Sequence, residues 1–195
     1  MKKIIRIIYY FFYSRYLIKK YTYKREKFED RDVLERIILP YVLAHHNPQK
    51  ILDIGREDYQ FFYNLYFKNK ELWTLDFDPE RKEFGAENHI IDDVVNVSQH
   101  FKKNELDFVL MNGVFGWGLN DEEKIEKSFS GIYDILAPGG IFILGWNDVK
   151  DLTPLPLDQI KALKKFQVYK FPPLKTSQFK AKTGEHTYNF YQKIN

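Results

Sequence analysis

Short apolar runs alternate along most of this chain with stretches in which apolar residues recur at helical spacing. Apolar residues three and four positions apart predict helices over residues 57–68 and 122–136. An alternation of strands and helices predicts a doubly wound α/β fold with a largely parallel sheet. The runs with the length and composition of buried strands span residues 50–55, 72–76, 89–91, 106–111 and 140–146.

The segments before and after this alternating region also have regular patterns. A helix is predicted to run to about residue 46 from a cap at Asp30 or Asp32, with Pro40 as a kink. Near the end of the chain, a short helix at residues 157–165 precedes two apolar runs. A long loop joins these runs and allows them to pair as antiparallel strands at one edge of the sheet. The two predicted strands span residues 166–171 and 187–194.

The N-terminal segment is apolar and aromatic on nearly every side of a helical projection. Arg6 and Arg15 interrupt it, so it lacks the roughly 20 apolar residues that cross a bilayer, and no signal-peptide cleavage site follows. One interpretation is a helix that packs on the domain or on a second subunit. The other is an interfacial anchor whose basic residues face anionic lipid, namely Lys19, Lys20, Lys24, Arg25 and Lys27.

Charge is distributed unevenly along the 195 residues. The first 27 residues carry nine Lys and Arg against Glu26 alone, a net +8, which leaves −5 for the rest of a chain of net charge +3. This asymmetry indicates an interaction of the N-terminus and argues against a broadly basic nucleic-acid surface. The absence of cysteine excludes disulfides, thiolate metal sites and a Cys nucleophile. We expect a cytoplasmic protein, peripheral at the membrane if the N-terminal segment is an anchor.

Five motifs follow one another at the ends of the predicted strands or before them. They are Asp53 with Gly55 after the first strand, Asp76 after the second, 21 residues beyond Gly55, Asp92-Asp93 after the third, Asn112-Gly113 after the fourth, and Leu136-Ala137-Pro138-Gly139-Gly140 before the fifth. In this order the motifs resemble those of the class I S-adenosylmethionine-dependent methyltransferases. The resemblance covers residues 30–195.

The resemblance implies a fold and a domain division. It implies a doubly wound, mostly parallel, seven-stranded Rossmann-like methyltransferase sheet with an antiparallel C-terminal strand. This domain would span residues 30–195, after a basic aromatic helical segment at residues 1–29. The Pro-Gly-Gly turn supports the fold because Pro ends a helix and Gly accepts positive φ.

The resemblance also implies S-adenosylmethionine as cofactor. An acid and a glycine would lie beside its methionine part, a second acid would accept hydrogen bonds from both ribose hydroxyls, and a third would bind the adenine amino group. Asn112 stands at the turn where the acceptor substrate meets the methyl group. The cofactor-binding residues implied in this way are Asp53, Gly55, Asp76, Asp92 or Asp93, and Asn112.

The first loop departs from the family pattern. The family has Asp-x-Gly-x-Gly-x-Gly, whereas this chain has Glu57 and Tyr59 where the second and third glycines would stand. Those glycines let the backbone approach the cofactor closely. Glu57 could clash with the cofactor or repel its carboxylate, while favouring its ammonium and sulfonium groups.

Substrate residues are expected at the same edge of the sheet, because ligands of open α/β sheets bind outside the carboxyl ends of the strands. If the last strand is antiparallel, His186 also lies there, near Asp148. Either residue could remove a proton from the methyl acceptor, although a hydrogen-bonded loop histidine and a turn cap are the structural alternatives. Trp117, Trp146 and Asn147 are the candidate acceptor-binding residues.

Two functions from different classes follow from these patterns. The first is an S-adenosylmethionine-dependent methyltransferase that acts on a small-molecule or saccharide-type acceptor. The second is a methyltransferase-like domain that has lost catalysis and acts as a binding or scaffolding protein through its N-terminus, by membrane contact or self-association. The histidines have no metal-site spacing, and we expect no metal and no nucleic-acid partner.

Overall fold

The computed structural model describes residues 2–22 and 28–194. Within these residues one eight-stranded sheet has the order β3-β2-β1-β4-β5-β8-β6, and β7 pairs separately with β8. The strands are β1 (Lys50–Ile54), β2 (Glu71–Asp76), β3 (Asn88–Ile91), β4 (Leu106–Asn112), β5 (Leu136–Asn147), β6 (Gln167–Val168), β7 (Gln178–Lys180) and β8 (His186–Gln192). The α-helices are α1 (Lys2–Tyr21), α2 (Glu29–Val33), α3 (Leu39–Tyr41), α4 (Tyr63–Tyr66) and α5 (Glu122–Ile135).

The central strands are parallel and buried on both faces, as the apolar runs predicted. Strand β1 pairs in parallel with β2 and β4, and β4 pairs in parallel with β5. Alternate residues of each strand face two different hydrophobic clusters: Ile141 and Ile143 face one, and Phe142 and Leu144 face the other. Helices or helical turns therefore cover both faces of the sheet, which is the doubly wound arrangement.

Of the two helices predicted between strands, the one at residues 122–136 is observed, and the one at residues 57–68 is much shorter than predicted. Helix α5 matches the prediction closely and begins where the Asp121 carboxylate accepts the Lys124 N–H at 2.9 Å. The predicted helix at residues 57–68 is a 3₁₀ turn, Asp58–Gln60, followed by α4. Further 3₁₀ turns follow β2 (Pro79–Phe84) and β3 (Val94–Gln99).

The helical segment before β1 is continuous but irregular. Helix α2 begins at Glu29, so Asp30 and Asp32 lie within its first turn, and the prediction that one of them caps it is wrong. The negative charges of both residues still interact favourably with the positive end of the helix dipole. π-Helical turns follow at Leu34–Ile38 and Val42–His46 on either side of Pro40, which lies in α3. The predicted disruption at Pro40 is thus distributed over two widened turns.

The last strand is antiparallel, as predicted. Strand β8 pairs with β5 on one side and with β6 and β7 on the other. The sheet has eight strands where seven were expected, because β7 forms inside the long loop between the two predicted C-terminal strands. The helix predicted at residues 157–165 is replaced by 3₁₀ turns at Leu157–Gln159 and Leu163–Lys165.

Helix α1 packs along the outside of the helical segment before β1. Its buried side chains include Tyr10 and Leu17, which belong to the hydrophobic cluster on that face. The Arg6 guanidinium donates to the Ala44 carbonyl at 3.2 Å. Lys24, Arg25 and Lys27 lie outside the described residues. Within the residues described, no helix has the length and apolar character needed to cross a membrane.

Candidate functional site

A cavity of about 810 Å³ opens at the edge of the sheet where β1, β2, β4 and β5 end and β8 begins. Its volume lies within the range of small-molecule and cofactor sites. The parallel strands and the antiparallel β8 place their loops there together, as the topology predicted. The start of α2 and the turn after β3 complete the wall.

Gly55 forms the cavity wall at the end of β1. It has φ of +81°, and a Cβ atom at this position would lie 2.3 Å from Val114 Cγ2 and 2.8 Å from the Asn112 carbonyl oxygen. Only glycine fits both the left-handed backbone and the close approach to β4. The glycine predicted from the first motif is therefore required by the fold and lines the cavity.

Asp53 has a different position from the one that the family resemblance implied. It is 1% exposed and does not line the cavity, since its carboxylate is held by Arg56 Nη2 at 2.7 Å and Nε at 3.1 Å. Burial raises the pKa of Asp53, and the Arg56 charge opposes that rise. Arg56 also donates to the Asn64 side chain and to the Phe84 carbonyl. The pair joins the first loop to the segments after it.

Glu57 and Tyr59, at the two missing glycine positions, both line the cavity but are engaged by neighbouring cations. The Glu57 carboxylate forms an ion pair with Arg81, and its N–H donates to Gln60 Oε1 at 2.7 Å. The Arg31 guanidinium lies 3.9 Å from the centre of the Tyr59 ring. The Glu57–Arg81 ion pair and the stacking of Arg31 on Tyr59 thus hold the side chains that replace the two family glycines.

Asp76 lies at the end of β2 and lines the cavity, as expected for a ribose-binding acid. Its Oδ1 atom accepts the Asp78 N–H at 3.0 Å. Among the described residues, no hydrogen bond engages Oδ2. Burial raises the pKa of Asp76, while the Asp78 N–H and the Arg81 charge oppose the rise.

The structure separates the two acids that follow β3. Asp93 lines the cavity, and its Oδ1 caps the next turn by accepting the Val95 N–H at 3.1 Å. Asp92 lies outside the cavity lining and accepts hydrogen bonds from Asn96 at 2.9 Å and His100 at 2.7 Å. These hydrogen bonds, the one from Asn96 foremost, lower the pKa of Asp92. Of the two alternatives, only Asp93 is positioned to contact a ligand.

A histidine and two asparagines meet on the opposite side of the cavity. His186 Nε2 lies 2.9 Å from Asn112 Oδ1, and His186 Nδ1 lies 3.3 Å from Asn147 Oδ1. Asn147 and His186 are cross-strand partners in β5 and β8. Gly145 makes the contact between β4 and β8 possible, because a Cβ atom there would lie 1.9 Å from Asn112 Oδ1.

Burial and nearby charges both affect the pKa of His186, and the Asp30 carboxylate acts to raise it. Burial lowers the pKa of His186, so the neutral ring is favoured at neutral pH. A neutral imidazole carries one N–H and can donate it to only one of the two amide oxygens, whereas the protonated ring can donate to both. A proton gained by the ring is therefore stabilised by a second hydrogen bond to an amide oxygen. This arrangement suits a proton acceptor.

The two candidate tryptophans lie in different environments. Trp117 lines the cavity mouth, is exposed, and donates from Nε1 to Asn147 Oδ1 at 3.3 Å. Trp146 is buried on the other face of β5, where it packs against Phe115 and donates to Asn189 at 2.9 Å. The structure does not bring Trp146 to the cavity.

Asp148 is also directed away from the cavity. Its carboxylate contacts Lys180 Nζ at 3.0 Å, and it is not among the lining residues. Of the two candidate bases, the structure therefore brings only His186 into the site. Within the described residues, no group of His, Asp and Glu side chains is arranged to hold a metal ion.

Several lining residues were not expected from the sequence. The first turn of α2 contributes Asp30 and Arg31, and exposed Phe77 follows Asp76 at the rim. Acids outnumber bases in the lining, which favours a positively charged ligand. The acidic residues of the lining are Asp30, Glu57, Asp76, Asp78, Asp93 and Glu185, against Arg31 and Arg81.

Comparisons with known proteins place the fold. No protein-family model matches the sequence. No curated protein has a similar sequence. The structure is similar to that of the N-methyltransferase NodS from Bradyrhizobium japonicum WM9, with a TM-score of 0.60 and 14% identity over 81% of this chain and 93% of that one.

The same N-methyltransferase in complex with S-adenosyl-L-homocysteine gives a TM-score of 0.57, with 14% identity over 76% of this chain and 79% of that one. A SAM-dependent methyltransferase from Archaeoglobus fulgidus gives 0.60, with 15% identity over 93% of this chain and all of that one (100%). At these identities the similarity establishes the fold. The predicted Rossmann-like fold of class I methyltransferases is confirmed.

Proposed function

We propose that this chain is a methyltransferase that binds S-adenosylmethionine and transfers its methyl group to a small-molecule acceptor. The carrying observation is that one cavity contains both a ribose-binding type of acid, Asp76, and a hydrogen-bonded histidine, His186. The similarity to methyltransferase structures, one of them holding the demethylated cofactor, supports the proposal.

The residues present fit this cofactor. Asp76 offers Oδ2 to the ribose hydroxyls, and the bare Gly55 backbone permits a close approach. The acidic lining suits a ligand with ammonium and sulfonium charges. Pairing with Arg81 neutralises Glu57, so this residue presents less repulsion to a carboxylate than its position suggests.

The proposed mechanism assigns one task to each side of the cavity. S-adenosylmethionine, when bound, would supply a methyl group activated by its positively charged sulfur. Asp76 would hold the ribose, and Asp93 would accept a hydrogen bond from the adenine amino group. On the opposite side, His186 would take the proton that the acceptor nitrogen or oxygen loses on methylation, while Asn112 holds the imidazole ring in place. Trp117 and Asn147 bound the acceptor position.

A calorimetric titration with S-adenosylhomocysteine and S-adenosylmethionine tests cofactor binding. We expect Asp76→Asn to weaken binding roughly 10- to 100-fold, because hydrogen bonds to a charged group contribute about 1.5–3 kcal/mol. The variant keeps an oxygen for the Asp78 N–H, so the loop should be retained. The matched control is Asp158→Asn, which removes an exposed acid outside the cavity. Absence of binding to the unmodified chain would contradict the proposal.

The acceptor class requires a separate screen. Small amines and saccharides, the two chemistries that nitrogen or oxygen methylation would use, can be incubated with labelled S-adenosylmethionine and the products detected by mass spectrometry. Saccharide-type acceptors are favoured by the exposed aromatic rings of Trp117 and Phe77 beside the carboxylates of the lining. Methylation of amines alone would contradict that preference while leaving methyl transfer itself supported.

The Asp53–Arg56 pair favours a second candidate function, a methyltransferase-like domain without catalysis. Asp53, the acid that the family resemblance places beside the methionine part of the cofactor, forms an ion pair with Arg56 instead. A chain that binds neither cofactor form, yet binds a partner through residues 1–27, would support this scaffolding role. Unchanged partner binding after removal of residues 1–27 would exclude it.

A further inference from the structure

Helix α1 has two apolar faces, and only one of them packs on the domain. The inner face buries Tyr10, Ser14, Leu17 and Ile18. The opposite side, which we call the outer face of α1, is solvent-exposed, with Ile4 63% and Phe12 64% exposed. The outer face comprises Ile4, Ile5, Ile8, Tyr9, Phe11, Phe12 and Tyr16.

Such a face is unusual on a soluble domain. Single exposed apolar residues are common, but a contiguous row of isoleucine and aromatic side chains marks an interaction surface. At 20 residues the helix is about 30 Å long, since each residue adds about 1.5 Å. The row extends over the first four turns.

The charges on α1 favour an anionic partner. The helix contains no acidic residue. Arg6 contacts the domain at Ala44, and the other basic residues lie at the two ends of the helix or beside the outer face. The Arg15 guanidinium lies 3.4 Å from the centre of the Phe11 ring, and Lys20 Nζ lies 5.8 Å from that of Tyr16. Cations are therefore intermixed with the exposed aromatic rings. The exposed lysines at the two ends are Lys2, Lys3, Lys19 and Lys20.

We propose that the outer face of α1 lies in the headgroup region of an anionic lipid bilayer, with the inner face holding the domain against it. Aromatic and isoleucine side chains would enter the interface, and lysine and arginine would contact anionic headgroups. A second copy of this chain fits less well, because it would oppose cations to cations without acids to pair them. The proposal is independent of what the cavity catalyses.

Vesicle flotation with the full-length chain tests this. We expect binding to vesicles of phosphatidylcholine with phosphatidylserine and much weaker binding to phosphatidylcholine alone. Ile8→Ser with Phe12→Ser should reduce binding at least about tenfold, because two apolar contacts with lipid are lost. Arg15→Gln with Lys19→Gln should reduce it roughly 25-fold, since each basic residue near the surface contributes about fivefold.

Val168→Ser provides the matched control, because Val168 is an equally exposed apolar residue on β6. It should bind vesicles as the unmodified chain does. The substitutions are at exposed positions, and circular dichroism verifies folding. The proposal is overturned if the full-length chain does not bind anionic vesicles, if Val168→Ser lowers binding equally, or if light scattering shows a dimer that Ile8→Ser with Phe12→Ser dissociates without any effect on vesicle binding.

Discussion

The two sides of the cavity are built on different principles. On the β1–β2 side, charged side chains are paired with one another: Asp53 with Arg56 outside the cavity lining, and Glu57 with Arg81 within it. On the β4–β5–β8 side, uncharged carboxamides surround His186. The first side uses charge to hold its loops, and the second leaves a titratable group whose partners are neutral.

This difference suggests separate roles for the two sides, one in holding the structure and one in proton transfer. An ion pair fixes both of its members, so neither is free to exchange a proton with a substrate. An imidazole between amide oxygens can gain or lose a proton without breaking an ion pair. The β1–β2 side is therefore suited to holding a ligand, and the β4–β5–β8 side to proton transfer.

The largest effect should come from the buried pair on the β1–β2 side. We expect Arg56→Met to lower the free energy of unfolding by about 3–5 kcal/mol, because the 1%-exposed Asp53 loses its partner. Urea denaturation measures this. The destabilisation should diminish at acidic pH, since burial raises the pKa of Asp53 and protonation then removes the unpaired charge.

The double substitution Asp53→Leu with Arg56→Met is the control. It removes both charges, so most of the lost stability should return. A double variant as unstable as Arg56→Met alone would show that the contacts of Arg56 with Asn64 and Phe84, and not the ion pair, hold the loop.

The next effect concerns the β4–β5–β8 side. We expect His186→Gln to slow methyl transfer about 100-fold, the lower range for loss of a general base, while S-adenosylhomocysteine affinity changes little. Steady-state kinetics and calorimetry measure the two quantities. Asp148→Asn should leave the rate nearly unchanged, because Asp148 contacts Lys180 outside the cavity. Equal loss in both variants would contradict the role of His186.

The pH dependence of this step has a defined sign. A base must be unprotonated, and burial lowers the pKa of His186 below its usual value of 6.5. The rate should therefore fall only as the pH drops below 6.5 and be constant at neutral pH. This acidic limb should be absent in His186→Gln, and a limb that remains would assign it to another group.

The sequence predicted the sheet because its strands are continuous apolar runs, but the same property concealed which side chains face the cavity. Asn147 and Trp146 were both expected there, and only Asn147 is. A strand buried on both faces has no polar alternation, since Ile143 and Phe142 are equally apolar. The apolar pattern therefore does not show which of two neighbouring strand residues faces the cavity, and only the packing of the two faces determines it.

The sequence predicted where the functional loop residues stand along the chain, but not which side chains they contact. Asp76 could be located because it stands at the end of the second predicted strand, 21 residues beyond Gly55, where the family resemblance implies a ribose-binding acid. The Asp53–Arg56 pair could not, because charged residues are usually exposed and nothing local required Arg56 to be buried. Asp92 and Asp93 were indistinguishable in sequence, and the turn that Asp93 caps separates them.

The smallest effect is expected at the exposed ion pair of the β1–β2 side. Because the Glu57–Arg81 pair is solvent-accessible, we expect Arg81→Met to lower the free energy of unfolding by only about 0–1 kcal/mol. Its effect on ligand preference should be clearer. The variant leaves Glu57 unneutralised, so the cationic S-adenosylmethionine should gain roughly twofold to fivefold over the uncharged sulfur of S-adenosylhomocysteine at low salt.

Glu57→Gln is the matched control, because it removes the opposite charge from the same pair. Its ligand preference should shift towards S-adenosylhomocysteine, and both shifts should shrink as salt is added. Parallel calorimetric titrations of the two ligands measure the ratio of their affinities. If the two variants shift that ratio in the same direction, the pair acts through loop structure. In that case the exposed pair holds its loop as the buried Arg56 does, and the contrast between the two ion pairs is lost.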